Sequence, residues 1–473
     1  MSVGDFALMR HELLLTAVAL IILAAEIFTS SKNRRSISVL AVTAYAIITV
    51  VGFLPSPSGS LFGNMYIADK TRLIMKNILN IGALLVLIQS LTWLDKEENR
   101  DRVSEYFILL ISTLVGMNFM ISAGHFLMFY IGLELATIPV AALAAYERYN
   151  NKSAEAGIKL ILISALSSGV LLYGLAMIYG ATGTLYFEET ARLFRNNNLQ
   201  ILGFIFFFSG MAFKISIVPF HLWTADVYEG APVNITSYLS VISKGAAIFI
   251  FLIVLFTVFP VIMATWQKAI YVTSVLTMTI GNLFAIRQQN LKRFLAFSSI
   301  SQAGYILLGI IGGNATGMAS VIYYVLVYIF SNLGAFGVVA AIANKTGKEN
   351  LNDYNGLYHT NPGLSLVMTL SMFSLAGIPP VAGFFGKFFL FTAAAEKGYY
   401  LLVTIAVLNT IISLYYYLLV VKAMFINASE SPVERFKSDF STKFALGICV
   451  AGIFITGFAS SVFEAIRNFS FGI

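Results

Sequence analysis

Five ionisable residues stand inside long apolar runs: Glu134 in FYIGLELATIPV, Lys159 in GIKLILI, Lys214 in ILGFIFFFSGMAFKISIVPF, Lys244 in SYLSVISKGAAIFIF and Lys387 in GIPPVAGFFGKFFLF. A charge at the middle of a bilayer costs about 2.5–3.5 kcal/mol on insertion scales, so each needs a reason. Snorkelling, in which the ammonium reaches the headgroups, suits Lys159 and Lys422, which lie near the ends of their runs. It does not suit Lys214 and Lys244, because about ten residues of helix on either side put the interface roughly 15 Å away. A purely structural ion pair of Glu134 with Lys214 would account for two of the charges and leave Lys244 and Lys387 without an evident acidic partner. A desolvated amine without a counter-charge releases its proton readily. A set of such amines can relay protons.

Backbone breaks lie beside these lysines. Pro219 has no N–H and leaves the carbonyl of Ile215 without its helical donor. Pro379 and Pro380 do the same to Leu375 and Ala376, in a segment that also holds Gly377, Gly383 and Gly386. At membrane depth a freed carbonyl is tolerated only where protein or trapped water satisfies it. The breaks therefore predict polar, hydrated pockets, with a simple proline kink as the plain alternative at either site.

The elements that carry these residues are membrane spans. The 473 residues are 58% hydrophobic and 11% charged, where soluble domains carry about 25% charged residues. Apolar runs near 11–29, 37–54, 72–94, 105–121, 122–145, 156–180, 200–219, 233–258, 262–286, 294–312, 316–343, 364–395, 400–425 and 441–464 can each cross about 30 Å of hydrocarbon. The runs are continuous, not alternating, which excludes a β-barrel. The fold class is an all-α polytopic membrane protein of about 14 transmembrane helices. The first run lacks a basic start and a small-residue cleavage site, and reads as a retained span. Polar separators fall at 30–35, 95–102 and 344–361, and only 181–199 is of comparable length.

The segment 364–395 would be about 48 Å long as one helix, so a break is expected there. Spans 7 and 12, both interrupted, are five apart, as two inverted five-helix repeats (spans 4–8 and 9–13) would place them; such repeats mark transporters. The expected organisation is 1–104, three N-terminal helices; 105–258, the first repeat; 262–425, the second; and 426–473, a C-terminal helix. Loops after odd-numbered spans carry most of the loop Lys and Arg, which predicts both termini on the non-cytoplasmic side.

The formal charge of +7 is dispersed in short loops, which argues against nucleic-acid binding. A single cysteine, Cys449, rules out an internal disulfide or a cysteine-ligated cluster, and His11, His125, His221 and His359 are too far apart for a two-histidine haem helix. No metal or cofactor site is expected in this chain.

The runs FKISIVPFHLWTADVYEGAP (213–232), LKRFLAFSSISQAGY (291–305), SLAGIPPVAGFFGKF (374–388) and GLELATIPV (132–140) strongly resemble the antiporter-like subunits of proton-pumping NADH:quinone oxidoreductase, respiratory complex I. The resemblance runs from about residue 10 to the end. Its broader motifs are shared by subunits N, L and M and by Mrp-type cation/proton antiporters. Lys387, where subunit M typically has glutamate, and an end after the fourteenth span, where subunit L adds a lateral helix, favour the subunit N branch.

The resemblance implies a proton relay of Glu134, Lys214, Lys244 and Lys387: Glu134 and Lys214 form the ion pair of spans 5 and 7, Lys244 is the central lysine and Lys387 faces the exit half-channel. Lys159 becomes a modulator and His221, with Asp226, lies in the matching loop. It places flavin, iron–sulfur clusters and quinone in partner subunits, names subunits M, K and J and the lipid bilayer as partners, and implies the bacterial inner membrane. An Mrp-type antiporter subunit and an inert membrane scaffold are the competing readings. One charge at about 4 Å is worth about 4 kcal/mol at an effective dielectric of 20, about a thousandfold in proton affinity, so the Glu134–Lys214 pair would be the switch.

Overall fold

The computed structural model describes residues 3–29, 34–195, 197–429 and 432–469. Helices dominate, because apolar side chains in lipid leave each backbone N–H and C=O to pair within its own segment. Among the described residues the one sheet is a short hairpin, Gly59–Leu61 paired antiparallel with Tyr66–Ala68. Among the described residues twelve helices are long and apolar enough to cross a membrane, and each coincides with a predicted span. A thirteenth predicted span is the less apolar helix Met263–Ala285. The remaining one, at 364–395, is two helices, Pro362–Ala376 and Ala382–Glu396. The seventh is likewise interrupted: Asn198–Ile215 stops, and Leu222–Gly230 follows. Of the separators, 30–33 lies outside the described residues, and 181–199 contains the short helix Phe187–Leu193.

The chain packs as two compact units. One comprises Met1–Leu87, Leu94–Ile215 and Ser243–Trp266; the other Ile88–Trp93, Ser216–Ile242 and Gln267–Ile473. In the first, the fifth span (Phe126–Ala144) packs on the fourth (Val103–Ile121) and the sixth (Asn151–Thr182), and the seventh packs on the sixth. In the second, the tenth (Leu291–Ile311) and eleventh (Ala315–Thr346) spans are buried along their apolar stretches and pack against the twelfth. Large apolar side chains such as Leu20, Leu162, Leu166, Leu401 and Ile411 stay exposed on the first, sixth and thirteenth spans, as lipid-facing surfaces do.

The same local construction occurs twice along the chain, five spans apart. The sixth and eleventh spans are both 32 residues long. Each starts on an asparagine whose side chain accepts a first-turn N–H: Asn150 from Lys152 and Asn314 from Gly317. Each ends at a left-handed glycine, Gly183 or Gly347, the conformation only glycine adopts without penalty. The fifth and tenth spans both begin beside a short extended pairing with the segment after the following span. Phe126 N–H donates to Leu185 O while Phe187 N–H donates to Gly124 O; Leu291 N–H donates to Glu349 O while Leu351 N–H donates to Gln289 O. Side chains at equivalent places, His125 and Asn290, cap those two spans.

In the broken twelfth span the two halves approach so closely that a Cβ on Gly383 would lie 1.7 Å from the carbonyl oxygen of Ser374, whereas one on Gly363 would meet nothing. Gly383→Ala is therefore expected to lose most of the folded protein from the membrane, and Gly363→Ala to leave it unchanged, as measured by detergent-extracted, monodisperse yield. Equal yields would contradict the close approach.

Candidate functional site

In the first unit the fifth span carries Glu134 and, one turn on, Thr137. Pro139 sits inside the same helix and lacks the N–H that would bond the carbonyl of Leu135. Lys214 is in the last turn of the seventh span. Its ammonium donates to Thr137 Oγ1 at 2.7 Å, while Glu134 Oε1 is buried without a hydrogen-bond partner. The carboxylate acts on the amine through space. The expected ion pair is thus a pair in charge range whose direct bond goes to a threonine. Beside it lies a small, partly open cavity of about 10 Å³, lined by Lys214, Thr137, Ser164, Ser167 and Ser168 among apolar residues. Hydroxyls are the groups that hold water in an apolar surrounding. Lys159 is elsewhere on the sixth span, on an accessible face, paired with Glu155 one turn earlier at 2.7 Å. Lys422 is exposed in the last turn of the thirteenth span, Tyr400–Phe425.

Lys244 is 3% exposed. It follows a five-residue π-helical stretch, Leu239–Ser243, which interrupts the regular ladder of the eighth span just before the amine. Such wide turns recur at functional places in helices.

After Ile215 the chain enters a short non-helical turn. Ser216 adopts a left-handed conformation (φ 68°), a strained choice costing about 1–3 kcal/mol, and its hydroxyl accepts from Thr224 Oγ1 at 2.8 Å. Val218 N–H is met by Thr277 Oγ1 of the ninth span at 3.0 Å. The Val218–Pro219 peptide is cis. His221 is buried immediately before Leu222–Gly230. Asp226 and Glu229, on that helix, both accept from Arg293 Nη1, at 2.7 and 3.1 Å, and Lys292 bonds Glu349 at 3.0 Å.

At the break of the twelfth span the two carbonyls released by the prolines have found donors. Lys387 Nζ, on a side chain 3% exposed, donates to Ala376 O at 3.0 Å. Gln302 Nε2, from the tenth span, donates to Leu375 O at 3.1 Å. The ammonium also lies over the ring of Tyr305, 4.5 Å from its centre, a cation–π contact. A buried polar network spreads from there. Asn282 Nδ2 reaches Tyr305 OH at 3.4 Å, and Asn282 Oδ1 accepts from Tyr416 OH at 2.9 Å. Tyr417 OH is 2.6 Å from Ser298 Oγ and accepts from Gln302, whose other end takes a bond from Tyr324. Sequence reasoning missed Thr137, Gln302 and these tyrosines; the available signal was a glutamine in the otherwise apolar and hydroxylic run SSISQAGY.

Comparison with known proteins bears on this arrangement. The family model described as "NADH:quinone oxidoreductase/Mrp antiporter, TM" matches residues 123–413. The NADH-quinone oxidoreductase subunit N of Phocaeicola vulgatus is 52% identical over 461 residues, covering 97% of this chain and 98% of that protein. This chain belongs to the NADH-quinone oxidoreductase subunit N family. A chain of respiratory complex I from Thermus thermophilus, solved with bound aureothin, superposes with a TM-score of 0.81 at 27% identity, covering 96% of this chain and 99% of that one. A chain of the Mrp complex from Dietzia sp. reaches a TM-score of 0.85 at 20% identity, a likeness of fold alone. As a member of the subunit N family the chain has the antiporter-like helical fold. Among its described residues no group of three or more His, Cys, Asp and Glu could hold a metal ion.

Gln302→Leu keeps the volume and removes the donor to Leu375 O and the acceptor for Tyr324, leaving buried groups unpaired at about 1–3 kcal/mol each. A clear fall in the thermal unfolding midpoint of the protein in nanodiscs is expected, with the exposed-face change Thr392→Val leaving it in place; equal midpoints would show that the freed carbonyls need no donor.

Proposed function

We propose that this chain is a proton-translocating membrane subunit of NADH:quinone oxidoreductase. It relays protons through Glu134, Lys214, Lys244 and Lys387, driven by quinone reduction elsewhere in the complex. The observation that carries the reading is Lys387: an amine buried in an interrupted span, holding a released carbonyl and adjoining a chain of hydroxyls and amides. The subunit N family supports the assembly, with the antiporter-like subunit M and small subunits K and J as neighbours in the bacterial inner membrane, and with both termini on the non-cytoplasmic side. Flavin, iron–sulfur clusters and quinone belong to the partner subunits. His221 and Lys159 act as modulators.

The relay works by pair strength. While Glu134 is close, its charge stabilises the ammonium of Lys214, and Thr137 fixes where that ammonium points. When a neighbouring subunit draws the carboxylate away, the ammonium gives its proton to water in the serine-lined cavity, and the proton moves on towards Lys244 and then Lys387. At Lys387 the carbonyl of Ala376 and the face of Tyr305 give the arriving charge a fixed place without a carboxylate. An antiporter subunit of the Mrp type would use the same residues under a cation gradient. Co-purification with NADH-oxidising subunits separates the two.

Glu134→Ala, Lys214→Ala and Lys244→Ala, each in the assembled complex, are expected to reduce proton pumping and quinone reduction together by about tenfold or more, the loss of an obligatory proton carrier. Wild-type pumping in all three contradicts the relay.

A further inference from the structure

The relay leaves unused a second group of buried charges, carried by the first and third spans and the hairpin between the second and third. Glu12 is in the first turn of Arg10–Phe28 and 2% exposed; Lys76 is in the second turn of Lys70–Leu94 and 4% exposed. Lys76 Nζ donates to Glu12 Oε1 at 2.6 Å and to the hydroxyl of Tyr66 at 3.0 Å, and that hydroxyl is 3.1 Å from Glu12 Oε2. A residue adjacent to each joins in: His11 Nε2 is 2.9 Å from Asn77 Oδ1, and Asn77 Nδ2 donates to Gly52 O. One turn further into the third span, Asn80 Oδ1 accepts from Tyr45 OH at 2.9 Å while its Nδ2 is buried without a partner. A small, partly open pocket of about 20 Å³ adjoins the pair, lined by His11, Ser56, Asp69, Arg72, Lys76 and Ser122. Arg72 is held there by Asp69 and by the carbonyl of Ile121.

A buried ion pair adds little to stability over an apolar pair of the same volume, so its presence inside apolar helices calls for another use. Here carboxylate, ammonium and phenol touch one another and the His11 imidazole is bonded to the neighbouring Asn77, with a polar pocket on one side and an amide with an unmet donor on the other. Both helices begin at this cluster, which therefore lies near the membrane face where the first span starts; under the sidedness proposed above, that face is non-cytoplasmic.

We infer that Glu12 and Lys76, with Tyr66, form a second proton-exchange pair that discharges protons through the His11–Asp69–Arg72 pocket to that face. The step balances one proton in and one out. A proton joining the Glu12 carboxylate removes the counter-charge of Lys76; the ammonium gives one proton to a pocket water; the carboxyl proton then passes to the amine and restores the pair. The inference rests on the proton-translocation reading and extends it to helices that precede the matched segment.

The test is made on the assembled complex in inverted native membrane vesicles, measuring protons taken up per NADH oxidised. Glu12→Gln is expected to lower this ratio by about twofold or more, and Glu12→Asp to restore it. The paired apolar change Glu12→Leu with Lys76→Met should lower it equally, because matched volume does not replace a proton carrier. A wild-type ratio in that double variant, with the rates of pumping and quinone reduction both lowered in Lys214→Ala, overturns this site and leaves the relay standing; wild-type pumping rates in Glu134→Ala, Lys214→Ala and Lys244→Ala overturn the relay itself. Where variants assemble poorly, the wild-type complex decides. Turnover-dependent modification of Glu12 by a hydrophobic carbodiimide, read by mass spectrometry, supports the site, and an unmodified Glu12 in a pumping complex contradicts it.

Discussion

A carbonyl oxygen released from its helix inside a bilayer has to be met by a donor, since no bulk water is there to meet it. That constraint organises the second compact unit. Two prolines release Leu375 O and Ala376 O, and the chain answers with Gln302 and Lys387. The answer costs about 2.5–3.5 kcal/mol for a central lysine, offset by the carbonyl it holds and the aromatic face it covers. Among the described residues no carboxylate pairs with this amine, and the ring it covers belongs to Tyr305, whose hydroxyl is in the buried network of Asn282 and Tyr416. The break and the amine are therefore one device: the break supplies the acceptor, and the acceptor gives the charge a place.

The first unit solves the corresponding problem with side chains instead of backbone. Lys214 bonds the hydroxyl of Thr137, shares a cavity with three serines, and feels Glu134 without a direct bond to it. The recurring 32-residue helices, asparagine caps, left-handed glycines and paired extended segments show that the surroundings of these sites were built on one plan. Within the plan the ionisable groups differ. The lysine precedes the break of the seventh span and follows that of the twelfth, and only the former has a glutamate in range. A site with a movable counter-charge can be switched, and a site held by fixed dipoles can only receive and release.

Much of this was legible in the sequence. Apolar runs located the spans, because the length needed to cross hydrocarbon is a property of the run itself, and Pro379 and Pro380 told which carbonyls would be freed. What the sequence did not tell was who would meet them. Thr137 and Lys214, like Gln302 and Leu375, are brought together by helix packing across long stretches of chain, and nothing local to either residue marks its partner. The π-helical stretch before Lys244 was equally hidden, since LSVIS contains neither proline nor glycine. Glu12 and Lys76 lie near the ends of their spans, where charges ordinarily reach water, so their burial against one another emerges only from the fold. The extra length at 364–395, by contrast, announced its break by arithmetic alone.

The central claim is that Lys214, Lys244 and Lys387 exchange protons with water at membrane depth. A cryo-electron microscopy map of the assembled complex, at a resolution that shows ordered water, tests it most directly. The account predicts water density within hydrogen-bonding distance of each of the three ammonium groups, filling the serine-lined cavity at Lys214 and adjoining the tyrosine network near Lys387. Dry, apolar packing around the three amines would contradict it.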